Sequence, residues 1–451
     1  MSRAAIILAA GKGTRMKSST PKVLHKVGGR PMMAWTTDLA KQLGCEKTII
    51  VVGPQFEDVH QAAVSLVGEE NVCVQETQSG TATAVQAAVP ALKGFKGEAI
   101  VLYADTPLIP TDVAQGAFTA IDEGASISVL GFEADNPGGY GRLILADDGG
   151  LDRIVEAKDA SPEEYAVRLC NSGVMAAPWP LMEELLGEVK NDNAKGEYYL
   201  TDLVGLARGR SLKAAAVPCN EDDVLGVNSR VQLAEAETVF QQRARIRFME
   251  EGVGMIDPET VYFSWDTQIG NDVFVEPNVV FGPGVKIASN VTIKAFCHFE
   301  GAVVAEGAVL GPYARLRPGA DIGEDVRIGN FVEVKNTKMD KGAKANHLAY
   351  LGDGSVGENA NIGAGTIFCN YDGFFKHKTE IGKNAFVGSN SSIVAPVKVG
   401  DDAMVGSGSV VTKDVESGDL ALARGQQVSK SGWSAKFREV MSKRKADSKK
   451  K

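Results

Sequence analysis

The sequence predicts two folded parts of different class: an α/β half built on a parallel sheet, then one long helix, then a β-helix of hexapeptide repeats. Three observations predict this. Residues 1–228 alternate short β-branched runs with helix-like segments, the pattern of a parallel sheet covered on both faces. Residues 229–250 contain neither Gly nor Pro and read as one helix. From about residue 255, aliphatic or aromatic residues return every six positions, a β-helix signature.

In the first half the strands are "AAIILAA" (4–10), "KTIIVVG" (47–53), "EAIVLYAD" (98–105) and "ASISVLGF" (125–132). The segments 32–44 and 81–92 suit helices between them. Ligands in such a sheet sit at the carboxyl ends of the strands. In 229–250, Ser229 with Gln232 fits a capping box, and Leu233, Ala236, Phe240 and Ala244 fall near one face. In the second half the six-residue registers run Ile269, Val275, Phe281, Ile287, Ile293, Phe299; Val304, Leu310, Leu316, Ile322, Ile328, Val334; and Ile381, Val387, Ile393, Val399, Val405, Val411. Each such residue is expected to point inward and stack on the next coil. The period breaks near 335–351 and 369–380, and breaks in a solenoid are expected to be loops on the binding face. The expected domains are therefore 1–228, a linker helix 229–250, a β-helix 251–430, and a tail 431–451.

Bulk properties narrow the class. The chain has 451 residues, 44% of them hydrophobic and 23% charged, with net charge −9. That length exceeds one compact core, and that charge does not favour nucleic acid as a partner. Six cysteines at 45, 73, 170, 219, 297 and 369 show no metal-ligand or redox spacing, so reduced thiols and a cytoplasmic location are expected. No apolar run approaches 18 residues, so membrane insertion is not expected. The tail "KFREVMSKRKADSKKK" (436–451) is basic; it reads as a solvated end or as a mobile clamp on an anionic ligand.

The first loop, "ILAAGKGTRMKSSTPKVL" (7–24), carries the sharpest chemical signal. It lacks the GxxxxGK[ST] of a Walker loop, and Met16 breaks a GxGxxG dinucleotide fingerprint. Gly11 and Gly13 let backbone N–H groups approach phosphate oxygens. Arg15 and Lys22 add cations suited to the charge of phosphoryl transfer. A plain glycine turn with surface basic residues is the bland alternative.

"LAAGKGTRM…PKVL" resembles the signature of sugar-1-phosphate nucleotidyltransferases. "QSGTATAV" (78–85), "YADTPL" (103–108), "GGYGRL" (138–143), "IVEAKDA" (154–160), "CNSGV" (170–174), "GEYYLTD" (196–202) and "GVNSR" (226–230) match in order. With the hexapeptide half, the chain resembles the bifunctional N-acetylglucosamine-1-phosphate uridyltransferase/glucosamine-1-phosphate acetyltransferase family over nearly its whole length. The resemblance implies a Rossmann-like, mixed but mostly parallel nucleotidyltransferase sheet and a left-handed parallel β-helix. It implies that Leu8, Ala9, Ala10 and Gly11 hold the nucleotide with Lys22, and that Gln75, Gly80 and Thr81 contact the uracil. Tyr103, Ala104 and Asp105 join that site, Gly141, Glu156 and Asn171 hold the N-acetylglucosamine moiety, and Asp105 and Asn228 ligate Mg²⁺. Arg15 and Lys22 are the implied catalytic cations. A sugar phosphate has its second pKa at roughly 6, so this half needs no protein base.

In the second half "RLRPGA" (315–320), "NFVEVK" (330–335), "KANHLAYLGD" (344–353), "NIGAGTIFCNYDG" (361–373) and "VGSNSSIVAP" (387–396) resemble the family's acetyltransferase signature. Acetyl transfer to an amine needs a base, and histidine has the suitable pKa. His347 matches that base, with Glu333 as its expected orienting partner. Arg317, Lys335, Tyr350 and Asn361 match glucosamine 1-phosphate contacts. Ala364, Asn370, Tyr371, Ser389, Ser407 and Arg424 match acetyl-CoA contacts, and Lys376, in the second break of the repeat, is expected to approach a phosphate. The implied co-substrates are UTP and acetyl-CoA, and the implied assembly is a homotrimer of soluble chains. A single-activity nucleotidyltransferase with a regulatory β-helix, and a non-catalytic scaffold, are the competing readings. His347 and "CNYDG" weigh against the first; Gly11, Arg15, Lys22 and Asp105 together weigh against the second.

Overall fold

The computed structural model describes residues 2–449. It divides into two compact units, one of residues 1–250 with 262–267, the other of 251–261 with 268–451.

The first unit is built on a mixed, mostly parallel sheet. Its strands are β1 (Arg3–Leu8), β2 (Lys47–Val52), β3 (Val72–Val74), β4 (Glu98–Tyr103), β5 (Ile127–Glu133), β6 (Arg142–Leu145), β7 (Leu151–Val155), β8 (Leu169–Pro178) and β9 (Ala214–Cys219). The spatial order is β9-β5-β8-β4-β1-β2-β3. Strand β1 runs parallel to both neighbours, with Ile6 opposite Ile49 and Val101. Strand β8 is antiparallel to β4 and β5 and carries the β6–β7 hairpin. Both faces of β1 are buried. Ala4, Ile6 and Leu8 enter one apolar cluster, and Ala5, Ile7 and Ala9 the other, as the two-residue side-chain period requires.

The segment 81–92 is shorter as a helix than the sequence suggests. Helix α1 spans Thr81–Gln86 and gives way to a 3₁₀ turn at Val89–Leu92. Pro90 lies in that turn and has no N–H to continue an α ladder. Helix α2 spans Arg230–Glu250 and buries Ala236, Gln241, Ala244 and Phe248. The capping box forms by half. Gln232 N donates to Ser229 Oγ (3.2 Å), but the Gln232 side chain reaches one residue further back and accepts from Asn228 N (2.9 Å).

The second unit is built of parallel strands in hexapeptide repeats, the architecture of a left-handed β-helix, and the basic tail, read from the sequence as a solvated end or a mobile clamp, carries an exposed helix over Trp433–Ser448. Phe281, Ile293, Phe299, Leu310, Leu316 and Ile328 are buried at 4% exposure or less, whereas Ile269, at the start of the first register, is only half-buried. The break at 335–351 is not a loop. Strands Glu333–Met339, Lys344–His347 and Tyr350–Val356 continue the coil. Inward positions pass from Val334 to Met339, Ala345, Leu351 and Val356, all fully buried. Two of those steps are five residues rather than six, so the coil contracts and the polar residues face outward. The break at 369–380 is a true insertion: Val356 pairs with Ile381 across it, and Tyr371 and Lys376 close it as an antiparallel bridge. Many coil corners hold left-handed residues, among them Asn278, Asn290, Asp325, Asp353 and Asn390, short polar side chains that tolerate this conformation. At one corner the left-handed residues are aromatic, and Phe296, Tyr313 and Phe331 stack with centroids 4.9 and 5.0 Å apart.

Candidate active sites

In the first unit a cleft of about 500 Å³ opens at the carboxyl ends of β1 and β4, lined by Leu8, Ala10, Gly11, Lys22, Gln75, Gly80, Thr81, Tyr103 and Asp105. The loop after β1 shapes one wall. Gly13 has φ 59°, and a Cβ there would lie 2.5 Å from Lys22 Cβ, so only glycine lets the lysine cross the loop. The Lys22 ammonium then meets Asp105 Oδ2 and, at 3.0 Å, Asn228 Oδ1. Asn228 is brought there by Val227 N, which donates to Asp105 O (2.8 Å), and by the Gln232 side chain on α2. Two oxygen ligands thus converge on one cation position. An all-oxygen pair of this kind suits Mg²⁺. Among the described residues no group of three or more His, Cys, Asp or Glu side chains is arranged to hold a metal.

The wall that carries Gln75, Gly80 and Thr81 is a knot of hydrogen bonds to the backbone. Gln75 Nε2 donates to Gly80 O and Thr83 Oγ1, both at 2.9 Å. Thr81 Oγ1 accepts from Leu200 N (2.9 Å). Gly141, Glu156 and Asn171 form a second group. Asn171 N donates to Gly141 O (2.8 Å), and a Cβ on Gly141 would lie 3.6 Å from both Asn171 Cβ and Glu156 Oε1. Burial raises the Glu156 carboxyl above its usual range, against a smaller opposing pull from Lys195. Burial also raises the Tyr103 phenol, with help from Glu156 and Asp105, and Tyr103 lines the cleft. Ala104 is buried beneath the cleft. Arg15 is not brought to the wall; it is exposed on the turn Thr14–Met16. Lys12, Gln78 and Glu197 also line the cleft. Each sits inside a motif quoted above, but its motif gave no chemical reason to single it out. Gln78 Nε2 fastens Ala10 O at 2.5 Å.

In the second unit the residues fall into two groups. His347, Ala364, Ser389 and Ser407 occupy one position on successive coils, each just before a corner. Gly365 N donates to His347 O (3.4 Å), Asn390 N to Ala364 O (2.7 Å) and Gly408 N to Ser389 O (2.8 Å). Arg424 closes the column by donating to Ser407 O (2.6 Å). Asn330 precedes them in the same column, paired in register with His347, and its Oδ1 lies 2.7 Å from His347 Nδ1. The expected partner Glu333 is elsewhere: it binds Arg317 (2.8 Å) and Arg315 (3.4 Å). Two guanidiniums are the stronger attraction for a carboxylate, and the Glu333 bond raises the Arg317 pKa further. The other group gathers Lys335, Tyr350 and Asn370, the last 3.4 Å from Tyr350 Oη. Asn361 lies on the strand Asn361–Ile362 without a recorded side-chain bond among the described residues. Tyr371 and Lys376 lie on the insertion, the Lys376 ammonium 4.5 Å from the Tyr371 ring centroid.

The model of a MobA-like NTP transferase domain matches residues 5–167, and that of the bacterial transferase hexapeptide (six repeats) matches 266–301, 301–336 and 378–413. Fold and clefts together define a two-part transferase, a nucleotidyltransferase carried in one chain with a hexapeptide-repeat transferase. Proteins described as bifunctional protein GlmU are similar throughout: 57% identical in Caulobacter vibrioides (97% of this chain, 95% of that protein), 56% in Hyphomonas neptunium (97% and 95%) and 57% in Maricaulis maris (99% and 98%). The chain belongs to the bifunctional GlmU family, with a uridyltransferase and a hexapeptide acetyltransferase domain. A solved UDP-glucose pyrophosphorylase complexed with UDP-glucose aligns at 19% identity and TM-score 0.42, over 54% of this chain and 100% of that one. The six cysteines are unpaired thiols, and no described helix is long and apolar enough to cross a membrane.

Proposed function

We propose that the second unit transfers acetyl from acetyl-CoA to glucosamine 1-phosphate, and that the first couples the product to UTP, releasing pyrophosphate and UDP-N-acetylglucosamine. The observation that supports this reading is the assembly of two separate constellations, Lys22–Asp105–Asn228 in one unit and the Asn330–His347 pair with its column in the other.

In the acetyl site His347 Nδ1–H donates to Asn330 Oδ1, which leaves Nε2 as the proton acceptor. It takes a proton from the substrate ammonium. The free amine attacks the thioester carbonyl, the C–S bond breaks, the thiolate leaves with the proton that the imidazolium returns, and the acylated nitrogen gives its second proton to solvent as the neutral amide forms. Arg317 and Lys335 hold the sugar phosphate; the column of Ala364, Ser389 and Ser407 runs along the acyl donor, with Arg424, Asn370 and Tyr371 beside it.

In the uridylyl site the phosphate of N-acetylglucosamine 1-phosphate is already ionised and attacks the α-phosphorus in line. Asp105 and Asn228 would hold Mg²⁺, which supplies charge neutralisation on the triphosphate. Lys22 then turns its ammonium to the phosphates, and Arg15 swings in from the surface turn. Gly141, Glu156 and Asn171 hold the sugar, while Gln75, Gly80 and Thr81 read the base. Such an enzyme works in the cytoplasm. The exposed aromatic ladder Phe296–Tyr313–Phe331 supports burial against further copies of the chain, in a trimer.

Thiol release from acetyl-CoA, with glucosamine 1-phosphate present and UTP absent, tests the first activity. Wild type should release thiol, and His347→Ala should lose it while still releasing pyrophosphate from UTP and N-acetylglucosamine 1-phosphate. No thiol release from wild type would remove the acetyltransferase reading.

A further inference from the structure

Asp353 closes the motif 344–353 quoted above, which gives no chemical reason to single it out, yet it is among the most engaged side chains of the second unit. It is 6% exposed at a coil corner, and its carboxylate spans three coils. Oδ1 accepts from Asn336 Nδ2 (2.8 Å) on the coil below, and Oδ2 from Asn370 Nδ2 (2.5 Å) on the coil above. The Lys335 ammonium lies 3.3 Å from both oxygens. Burial alone would raise this carboxyl. The bonds from Asn336, Lys335 and Asn370, with the Lys335 charge, outweigh it and hold the group below its usual range.

We propose that Asp353 is a positioning residue for acetyl transfer, setting Lys335 on the sugar-phosphate side and Asn370 on the acyl-donor side from a single carboxylate. The proposal rests on the acetyltransferase reading above. A lysine head on a four-carbon stem has many rotamers and no geometry of its own. Asp353 removes that freedom before the phosphate arrives, so less ordering is left for binding. The pair mirrors Arg317 on Glu333: each phosphate-binding cation is backed by one carboxylate. Asn370 Nδ2 is also 3.4 Å from Tyr350 Oη, so movement of the carboxylate would reach both substrates.

A corner role alone would explain an acidic residue at φ 55°, since Asp272, Asp325 and Asp402 stand at other corners. Asp353→Asn separates the two roles. Asparagine is at home at such corners, as at Asn278 and Asn390, so the corner backbone is kept while the charge is lost and one of the two acceptor oxygens becomes an NH2 donor. The expected result is a KM for glucosamine 1-phosphate raised on the order of tenfold, the worth of one charge-assisted hydrogen bond. The KM for acetyl-CoA should rise by a smaller factor, with kcat less affected and pyrophosphate release from UTP unchanged. In a Lys335→Ala background the same change should add little to the glucosamine 1-phosphate KM, because both act through one ammonium. Wild-type Michaelis constants in Asp353→Asn, or an effect that simply multiplies with that of Lys335→Ala, would overturn the proposal while leaving the acetyltransferase reading intact. Absence of acetyl transfer in wild type would instead remove the reading beneath it.

Discussion

Gly80→Ala should cripple uridylyl transfer and leave acetyl transfer alone. Gly80 has φ 142° and ψ 175°, a region that only glycine populates, and holding another residue there costs about 1–3 kcal/mol. The added Cβ would also lie 2.2 Å from Tyr198 O and 2.6 Å from Tyr198 N. Neither atom is the end of a flexible side chain. Tyr198 N is bonded to Ser79 O (2.8 Å) and Tyr198 O to Ala82 N (3.0 Å), so the clash falls on the contacts that hold the two segments together. Relief needs a backbone shift of about 1 Å, and a displacement of that size at a binding wall costs roughly 100-fold in rate. Pyrophosphate release should therefore lose about two orders of magnitude in kcat/KM. The strain alone should lower the melting temperature of the first unit by about 2–12 °C. Gly205→Ala is the control, a glycine of the helix Asp202–Gly209 with open space at its Cβ; it should be neutral or mildly stabilising. Wild-type kcat and KM for UTP in Gly80→Ala would refute the reasoning.

Other perturbations have equally definite outcomes. Asn330→Ala removes the 2.7 Å bond to His347 and should lower kcat for thiol release roughly 2- to 10-fold, with pyrophosphate release unaffected. Lys22→Met withdraws the cation between Asp105 and Asn228; uridylyl transfer should fall about 10²–10³-fold, while Mn²⁺ binding to the free protein, followed by calorimetry, should tighten. Glu156 is raised by burial, so the folded state holds its proton more firmly than the unfolded chain. Its presence therefore costs stability that is absent below the unfolded value of 4.5 and sets in as pH rises toward the folded value. Glu156→Gln should remove that fall, raising the melting temperature of the first unit at pH 7 but not at pH 4, as differential scanning calorimetry would show.

Much of the architecture was legible because periodicity is local. The inward residues announce the β-helix one after another, and β1 announces its sheet by burying both faces. Contacts that join distant segments were harder to read. Lys22, Asp105 and Asn228 converge across separations of 83 and 206 residues, so motifs named each of them without showing that a lysine occupies the cation position. Asn330 was missed for a different reason. Its partner His347 lies one coil on, 17 residues away, and the contracted step at 334–339 hides that register from a strict six-residue count. Counted by corners instead, Asn330-Phe331, His347-Leu348, Ala364-Gly365, Ser389-Asn390 and Ser407-Gly408 line up, and the column is present in the sequence.

The parallel ladders have a consequence for how the molecule comes apart. Each coil rests only on its two neighbours, so loosening starts where a neighbour is missing. The terminal strand Leu420–Ala421 is such a place, paired on one side only, with Leu420 61% exposed. Strand Lys344–His347 has five strands of its ladder before it and four after it. Fraying can strip several outer turns before it reaches the proposed base. Amide exchange should accordingly form a gradient along the stack, fastest at the last turn and slowest near the middle. The proposed acetyl-transfer site is placed where the solenoid breathes least.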